Sequence, residues 1–129
     1  MTFAHDFDLA AYIQEARINT ATRLRAARFL LLRRLRMSGV SEVACTYDAY
    51  GDSGNWEDVT LDGGRVVPKD DFRSALGDFA WDVAYFFHPG FENNEGGYGE
   101  VIWDIARDTI SLDHAERFVD TNHSYHEGI

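Results

Sequence analysis

The sequence predicts an α+β domain: an antiparallel sheet of about four strands with a long N-terminal helix and a second, buried helix packed on one face. Residues 8–37 contain neither glycine nor proline and repeat apolar residues every three or four positions. Two later regions alternate apolar and polar residues as half-buried strands do, and a second helical stripe separates them. A length of 129 residues suits one core, so we expect a single domain over residues 1–129.

The first element is an arginine-rich amphipathic helix over residues 8–37, whose apolar stripe includes Ile13, Leu31 and Leu35. Gly39 is expected to end it in the left-handed conformation. The first 40 residues hold seven arginines and three acidic residues, a net charge of +4. The other 89 residues hold five basic and 19 acidic residues, a net charge of −14. The molecule is therefore expected to be electrically polarised.

A strand is predicted over residues 40–48, followed by a loop over 49–55 and a second strand over 56–62. The turn Asp62-Gly63-Gly64 leads into a short strand at 65–67. These segments together predict a hairpin or meander.

Asp70 is a good N-cap for a second helix that runs to about Phe87, where His88-Pro89-Gly90 stops it. Its aromatic stripe predicts a core position. Alternation over residues 101–105 and 110–114 predicts another hairpin. The tail, residues 119–129, is rich in poor helix formers, and we expect it to fray.

The net charge of −10 is expected to repel naked nucleic acid and anionic membranes, so direct nucleic-acid binding is disfavoured. Apolar runs such as the four residues Phe29–Leu32 are too short to span a membrane. The first eight residues lack the features of a signal peptide, and the single cysteine, Cys45, suits a reducing compartment. We therefore expect a cytoplasmic location.

The first candidate site is the acidic glycine segment at residues 47–58, with Asp48, Asp52, Glu57 and Asp58. Its oxygen donors suit magnesium or calcium, but the spacing does not fit an EF-hand. A turn between strands is the favoured interpretation.

The second candidate is the glycine-rich segment at residues 88–100. Its acidic residues disfavour a phosphate site, but a contact surface for a protein or a metal remains open. Phe91 and Tyr98 are predicted either to be exposed anchors or to fold into the core. The candidate residues here are Phe91, Glu92, Asn93, Asn94, Glu95 and Tyr98.

The third candidate is histidine: His88 lies at a helix end, His114 on a strand, and His123 and His126 in the tail, and three of these in one place would make a zinc or iron site. His114, His123 and His126 would form a zinc site if the fold brought them together. Alternation places His114 and Glu116 on the same face as Ile110 and Leu112, so His114 is also interpreted as a paired, partly buried group.

Gly51-Asp52-Ser53-Gly54, followed by Glu57-Asp58, and Gly90-Phe91-Glu92-Asn93-Asn94-Glu95-Gly96-Gly97 form two loop motifs. In these motifs residues 40–127 resemble a family of small bacterial proteins of unknown function, often carried on plasmids, integrated elements and phages. The resemblance implies no activity. It implies that the two loops act together.

No set of nucleophile, base and orienting residue emerges, so an interaction protein is favoured over an enzyme. We expect an acidic protein, from a mobile element, that docks on a basic protein partner as an inhibitor or nucleic-acid mimic, without a cofactor. The arginine helix would favour a homodimer. The alternative is a metal-dependent enzyme that holds a divalent ion in the acidic glycine loops or at the C-terminal histidines.

Overall fold

The computed structural model describes residues 8–50, 53–66, 70–92, 95–117 and 121–129. In these ranges the chain forms two helices and six strands, and the α+β class with an antiparallel sheet is confirmed. In chain order the elements are α1 (Leu9–Met37), β1 (Glu42–Tyr50), β2 (Ser53–Leu61), β3 (Arg65–Val66), α2 (Asp71–Phe87), β4 (Gly97–Asp104), β5 (Thr109–Arg117) and β6 (Thr121–His126).

The strands form one sheet in the order β3-β2-β1-β4-β5-β6, and every neighbouring pair is antiparallel. The sheet has more strands than the expected four: the two-residue β3 lies within the short strand predicted at 65–67, whereas the C-terminal β6 was not predicted. Since β6 pairs with β5 from Leu112↔His126 to Arg117↔Thr121, the expectation of a frayed tail over 119–129 is wrong for residues 121–126. Residues 118–120 lie outside the described ranges.

The predicted loop at 49–55 is largely strand. β1 runs on to Tyr50 and β2 begins at Ser53, so the two strands form a tight hairpin. Gly54 permits this approach, because a Cβ there would overlap the side chain of Ala49. Gly51 and Asp52 fall outside the described residues.

Helix α1 begins at the N-cap Asp8, whose carboxylate accepts a hydrogen bond from the N–H of Ala11 at 3.2 Å. It ends as predicted, with Gly39 at a φ of +72°. Only Leu31 and Leu35 of this helix are buried, while Ile13 on the same stripe is 56% exposed. The predicted stripe is therefore correct, but the body covers only its C-terminal half.

Arg28 links α1 to residues that are distant along the chain. Its guanidinium lies 2.9 Å from the Asp108 carboxylate and donates to the backbone carbonyls of Asp108 and Ile129. Arg17 donates to the carbonyl of Phe86 and lies over that ring. These two arginines sit at the edge of the apolar stripe, and both find partners within the protein.

The core lies between the helices and one face of the sheet. Helix α2 contributes Leu76, Phe79 and Val83, and its N-cap Asp70 accepts from the N–H of Arg73 as expected of an N-cap. Alternate residues of each central strand point into this layer, such as Val101 and Trp103 of β4. Neither described helix is both long and apolar enough to cross a bilayer.

Candidate functional site

Three histidines and a glutamate from three elements meet beside the end of α2. His88 is the C-cap residue of this helix. His114 and Glu116 are two residues apart on β5, so both side chains lie on the face of the sheet that carries the helices. His126 comes from β6, where Ser124 is the cross-strand partner of His114. We call His88, His114, Glu116 and His126 the histidine cluster.

The ligand-type atoms of the histidine cluster approach each other closely. Glu116 Oε1 lies 3.6 Å from His114 Nε2 and 3.7 Å from His88 Nδ1. One such atom from each of these three residues fits within a mutual separation of 4.8 Å. The rings of His88 and His114 stack with their centroids 4.0 Å apart. Within the described ranges, these three residues form the only group of this kind.

His114 has one nitrogen in a hydrogen bond and one without. Its side chain is fully buried, at 0% exposure. Its Nδ1 forms a short hydrogen bond with the hydroxyl of Tyr47, whereas its Nε2 has no hydrogen-bond partner among the described residues. Leaving a buried polar atom unpaired costs about 1–3 kcal/mol, so this nitrogen requires an explanation.

His88 and His126 extend the cluster toward β6. Their Nε2 atoms lie 3.1 Å apart, and the hydroxyl of Ser124 lies 3.1 Å from His88 Nε2. The ring of His126 packs on Phe87 with a centroid separation of 5.0 Å. His126 is therefore a neighbour of the three-residue group rather than an exposed tail residue.

Both histidines at the centre favour the neutral form. Burial, followed by the proximity of His88 and His126, lowers the pKa of His114 to about 4. Burial, followed by His126, also lowers the pKa of His88, against the opposite effect of Glu116. Near pH 7 both imidazoles are consequently uncharged, which is the state that binds a metal.

The predicted zinc trio is corrected in one member. His114 and His126 come together, but His123 pairs opposite Ala115, is exposed and lies outside the cluster. Alternation along β6 explains this, because residues 123 and 126 point to opposite faces. His88 is among the histidines that the sequence offers for a metal site, whereas Glu116 is predicted only to share a face with His114.

The acidic glycine segment (47–58) and the glycine-rich segment (88–100) converge at one end of the sheet, where Asp48 of β1 pairs with Tyr98 of β4. Arg117 holds this junction: its guanidinium lies 2.7 Å from the Asp48 carboxylate and stacks over the rings of Tyr50 and Tyr98. Asp48 is thus engaged by an arginine of the same chain.

The other candidate residues of these segments are dispersed. Phe91 takes the core alternative, at 4% exposure, while Tyr98 is 38% exposed. Glu92 accepts a hydrogen bond from the hydroxyl of Tyr85 at 2.8 Å, and Asp58 lies 3.2 Å from Arg73. Glu57 and Glu95 are exposed. Asp52, Asn93 and Asn94 lie outside the described residues.

The fold and the histidine cluster define a small α+β protein with a buried imidazole site. Residues 65–128 match the model of a family described as a family of unknown function (DUF6878). No curated protein and no solved structure matches the chain. The matched stretch contains all four residues of the histidine cluster and the second glycine-rich segment; the first glycine-rich segment precedes it.

Proposed function

We propose that this protein binds a divalent transition-metal ion, with zinc as the best fit, through His88, His114 and Glu116. The observation that carries the proposal is the buried Nε2 of His114, which has no hydrogen-bond partner among the described residues. Its nearest carboxylate oxygen is 3.6 Å away, longer than a hydrogen bond. A metal ion would use this nitrogen as a ligand and remove the cost of leaving it unpaired.

The donor set supports zinc over magnesium or calcium. Imidazole nitrogens suit zinc and its transition-metal neighbours, whereas magnesium and calcium prefer oxygen ligands. Two ligands about 2.0–2.1 Å from a tetrahedral zinc are about 3.3 Å apart. The separations of 3.6 and 3.7 Å from Glu116 Oε1 to the two imidazoles are therefore close to those of a bound state.

Two histidines and one glutamate form the ligand type of catalytic rather than closed structural zinc sites. The Glu116 side chain is 46% exposed, so the group opens to solvent on that side. Zinc held by His88, His114 and Glu116 would supply hydrolytic chemistry at neutral pH. Of the two functions considered from the sequence, the metal-dependent one has the stronger geometric support.

The test is a calorimetric titration of EDTA-treated, dialysed protein with zinc chloride. We expect one ion per chain, and at least a tenfold weaker affinity in His88→Ala and in His114→Ala. His123→Ala is the matched control, since His123 is exposed outside the cluster, and it should bind like the wild type. Absence of zinc binding, or equal binding by all four proteins, would contradict the proposal.

A second candidate function, docking of the acidic body on a basic protein partner, has one supporting observation. Glu100 of β4 and Asp113 of β5 are direct cross-strand partners on the face of the sheet opposite the helices. Like charges in this position destabilise a sheet, and a cationic partner would offset their repulsion.

Size-exclusion chromatography at low ionic strength, with a basic nucleic-acid-binding protein added, tests the docking. Co-elution by the wild type and its loss in Glu100→Gln/Asp113→Asn would support docking, and no co-elution would remove its basis. The same runs without the added partner show whether the protein elutes as the homodimer that the arginine helix would favour.

A further inference from the structure

Tyr47 is a buried tyrosine whose hydroxyl, among the described residues, forms a hydrogen bond with His114 alone. Its side chain is 1% exposed, and the hydroxyl is bonded to His114 Nδ1. Its ring stacks on His114 with a centroid separation of 5.8 Å and meets the edges of Trp81 and Phe91 at 6.1 and 5.4 Å. Packing on several sides therefore fixes the position of the hydroxyl relative to the imidazole.

Gly97 and Gly99 on the intervening strand β4 leave the space in which these two rings lie. A Cβ at Gly99 would overlap the Tyr47 hydroxyl and approach its Cζ to 2.7 Å. A Cβ at Gly97 would lie 3.3 Å from His114 Cε1 and 2.7 Å from the carbonyl oxygen of Ala115. Neither glycine has a positive φ, unlike Gly96 at +79°. The two glycines are thus required for space rather than for backbone conformation.

We propose that Tyr47 is a positioning residue of the metal site, and that Gly97 and Gly99 form the cradle that admits it. This inference rests on the proposed function. A neutral imidazole that binds a metal through Nε2 carries its proton on Nδ1. When a metal holds Nε2, the Tyr47 hydroxyl is in place to accept that hydrogen bond, and its packed ring then fixes the orientation of His114.

The glycine-rich segment gains a role from this arrangement. Among the described residues of the sequence Gly96-Gly97-Tyr98-Gly99, Gly96 makes the turn and the two alternate glycines face the cluster. Tyr98 between them points to the other face, where it meets Arg117. The segment therefore leaves the room that the rings of Tyr47 and His114 need. It is neither a phosphate cradle nor an independent loop.

The test compares Tyr47→Phe with the wild type, because this substitution removes only the hydroxyl. Partners that orient metal-bound histidines change metal affinity by about 10–100-fold when they are lost. We expect zinc affinity to fall within that range with one ion per chain retained. Tyr50→Phe is the matched control: Tyr50 also lies on β1, is 64% exposed, and should leave affinity unchanged.

A second readout separates positioning from stability. Long-range ¹H–¹⁵N NMR of zinc-loaded wild type should show His114 protonated at Nδ1, with slow exchange of that proton. In Tyr47→Phe the same proton should exchange faster, even where the melting temperatures match. Unchanged affinity together with unchanged exchange in Tyr47→Phe would overturn this inference and leave the proposed zinc site standing. Failure of the wild type to bind zinc would overturn the proposed function itself.

Discussion

Acidification should destabilise the metal-free protein through His114. The pKa of this buried histidine falls from an ordinary 6.5 to about 4 in the folded state, mainly because burial disfavours the imidazolium. Between these two values the unfolded chain binds a proton that the folded chain does not. The stability contribution is complete above pH 6.5 and is lost progressively as the pH falls through that interval toward 4.

The size of the effect follows from the shift. Each pKa unit corresponds to 1.36 kcal/mol, so lowering the pH from 7 to 4 should reduce the free energy of unfolding by about 3 kcal/mol through His114 alone. Urea unfolding of EDTA-treated wild type and His114→Gln at pH 7, 6, 5 and 4 measures this contribution. Carboxylates titrate in both proteins, so the difference between the two curves isolates His114.

In that comparison the stability advantage of the wild type at pH 7 should shrink by about 3 kcal/mol at pH 4. His123→Gln serves as the control and should follow the wild-type curve, since His123 is exposed on β6. Parallel curves for wild type and His114→Gln would refute the argument that the buried imidazole stays neutral in the folded protein.

Two further substitutions test the packing. Gly77→Ala on α2 should lower the free energy of unfolding in urea by about 1–3 kcal/mol, because the added Cβ would overlap the ring of Trp56. This loss should exceed the gain from the higher helix propensity of alanine. A more stable variant would contradict this contact. Arg28→Met should cost about 1–3 kcal/mol by removing the ion pair with Asp108 and the hydrogen bond to the carbonyl of Ile129. Faster amide hydrogen exchange in α1 would localise that loss, and unchanged exchange would argue against it.

The helices and two of the hairpins could be predicted because their signals are local. The stripe on α1 and the end at Gly39 depend only on helical spacing and on one left-handed residue. The turn at Asp62-Gly63-Gly64 likewise carries its own conformation, with Asp62 and Gly63 at φ values of 51° and 81°. Such features need no knowledge of distant contacts.

Strand β6 could not be predicted on this basis. Thr121–His126 is polar and lacks a continuous apolar pattern, and its order comes from pairing with β5. The extension of β1 and β2 toward each other has a similar origin, since Asp48 and Ala49 also pair with Tyr98 and Gly97 on the other side. The end of β1 is thus held as a strand by partners on both sides, and β2 is paired to it from Ser53 onward.

The candidate site was predictable only in its residue types. His114 and His126 were candidates because histidines are rare and suit zinc. The sequence could not decide that His88 and Glu116, and not His123, complete the group, because the end of α2 and the face of β5 meet only in the tertiary structure. The cluster could not be predicted because its residues are far apart along the chain. Alternation on β5 was enough to place His114 and Glu116 on one face.

The histidine cluster and its positioning residue come from different parts of the chain. Residues 65–128, which match the family model, contain His88, His114 and Glu116, whereas Tyr47 lies on β1 outside that stretch. Strand β4 separates β1 from β5, and its glycines are what allow the Tyr47 hydroxyl to reach His114 across it. A stretch carrying only the matched residues would hold the proposed metal ligands without the hydroxyl that orients His114. The N-terminal half of the chain would thus supply the residue that orients His114, although it supplies none of the proposed ligands.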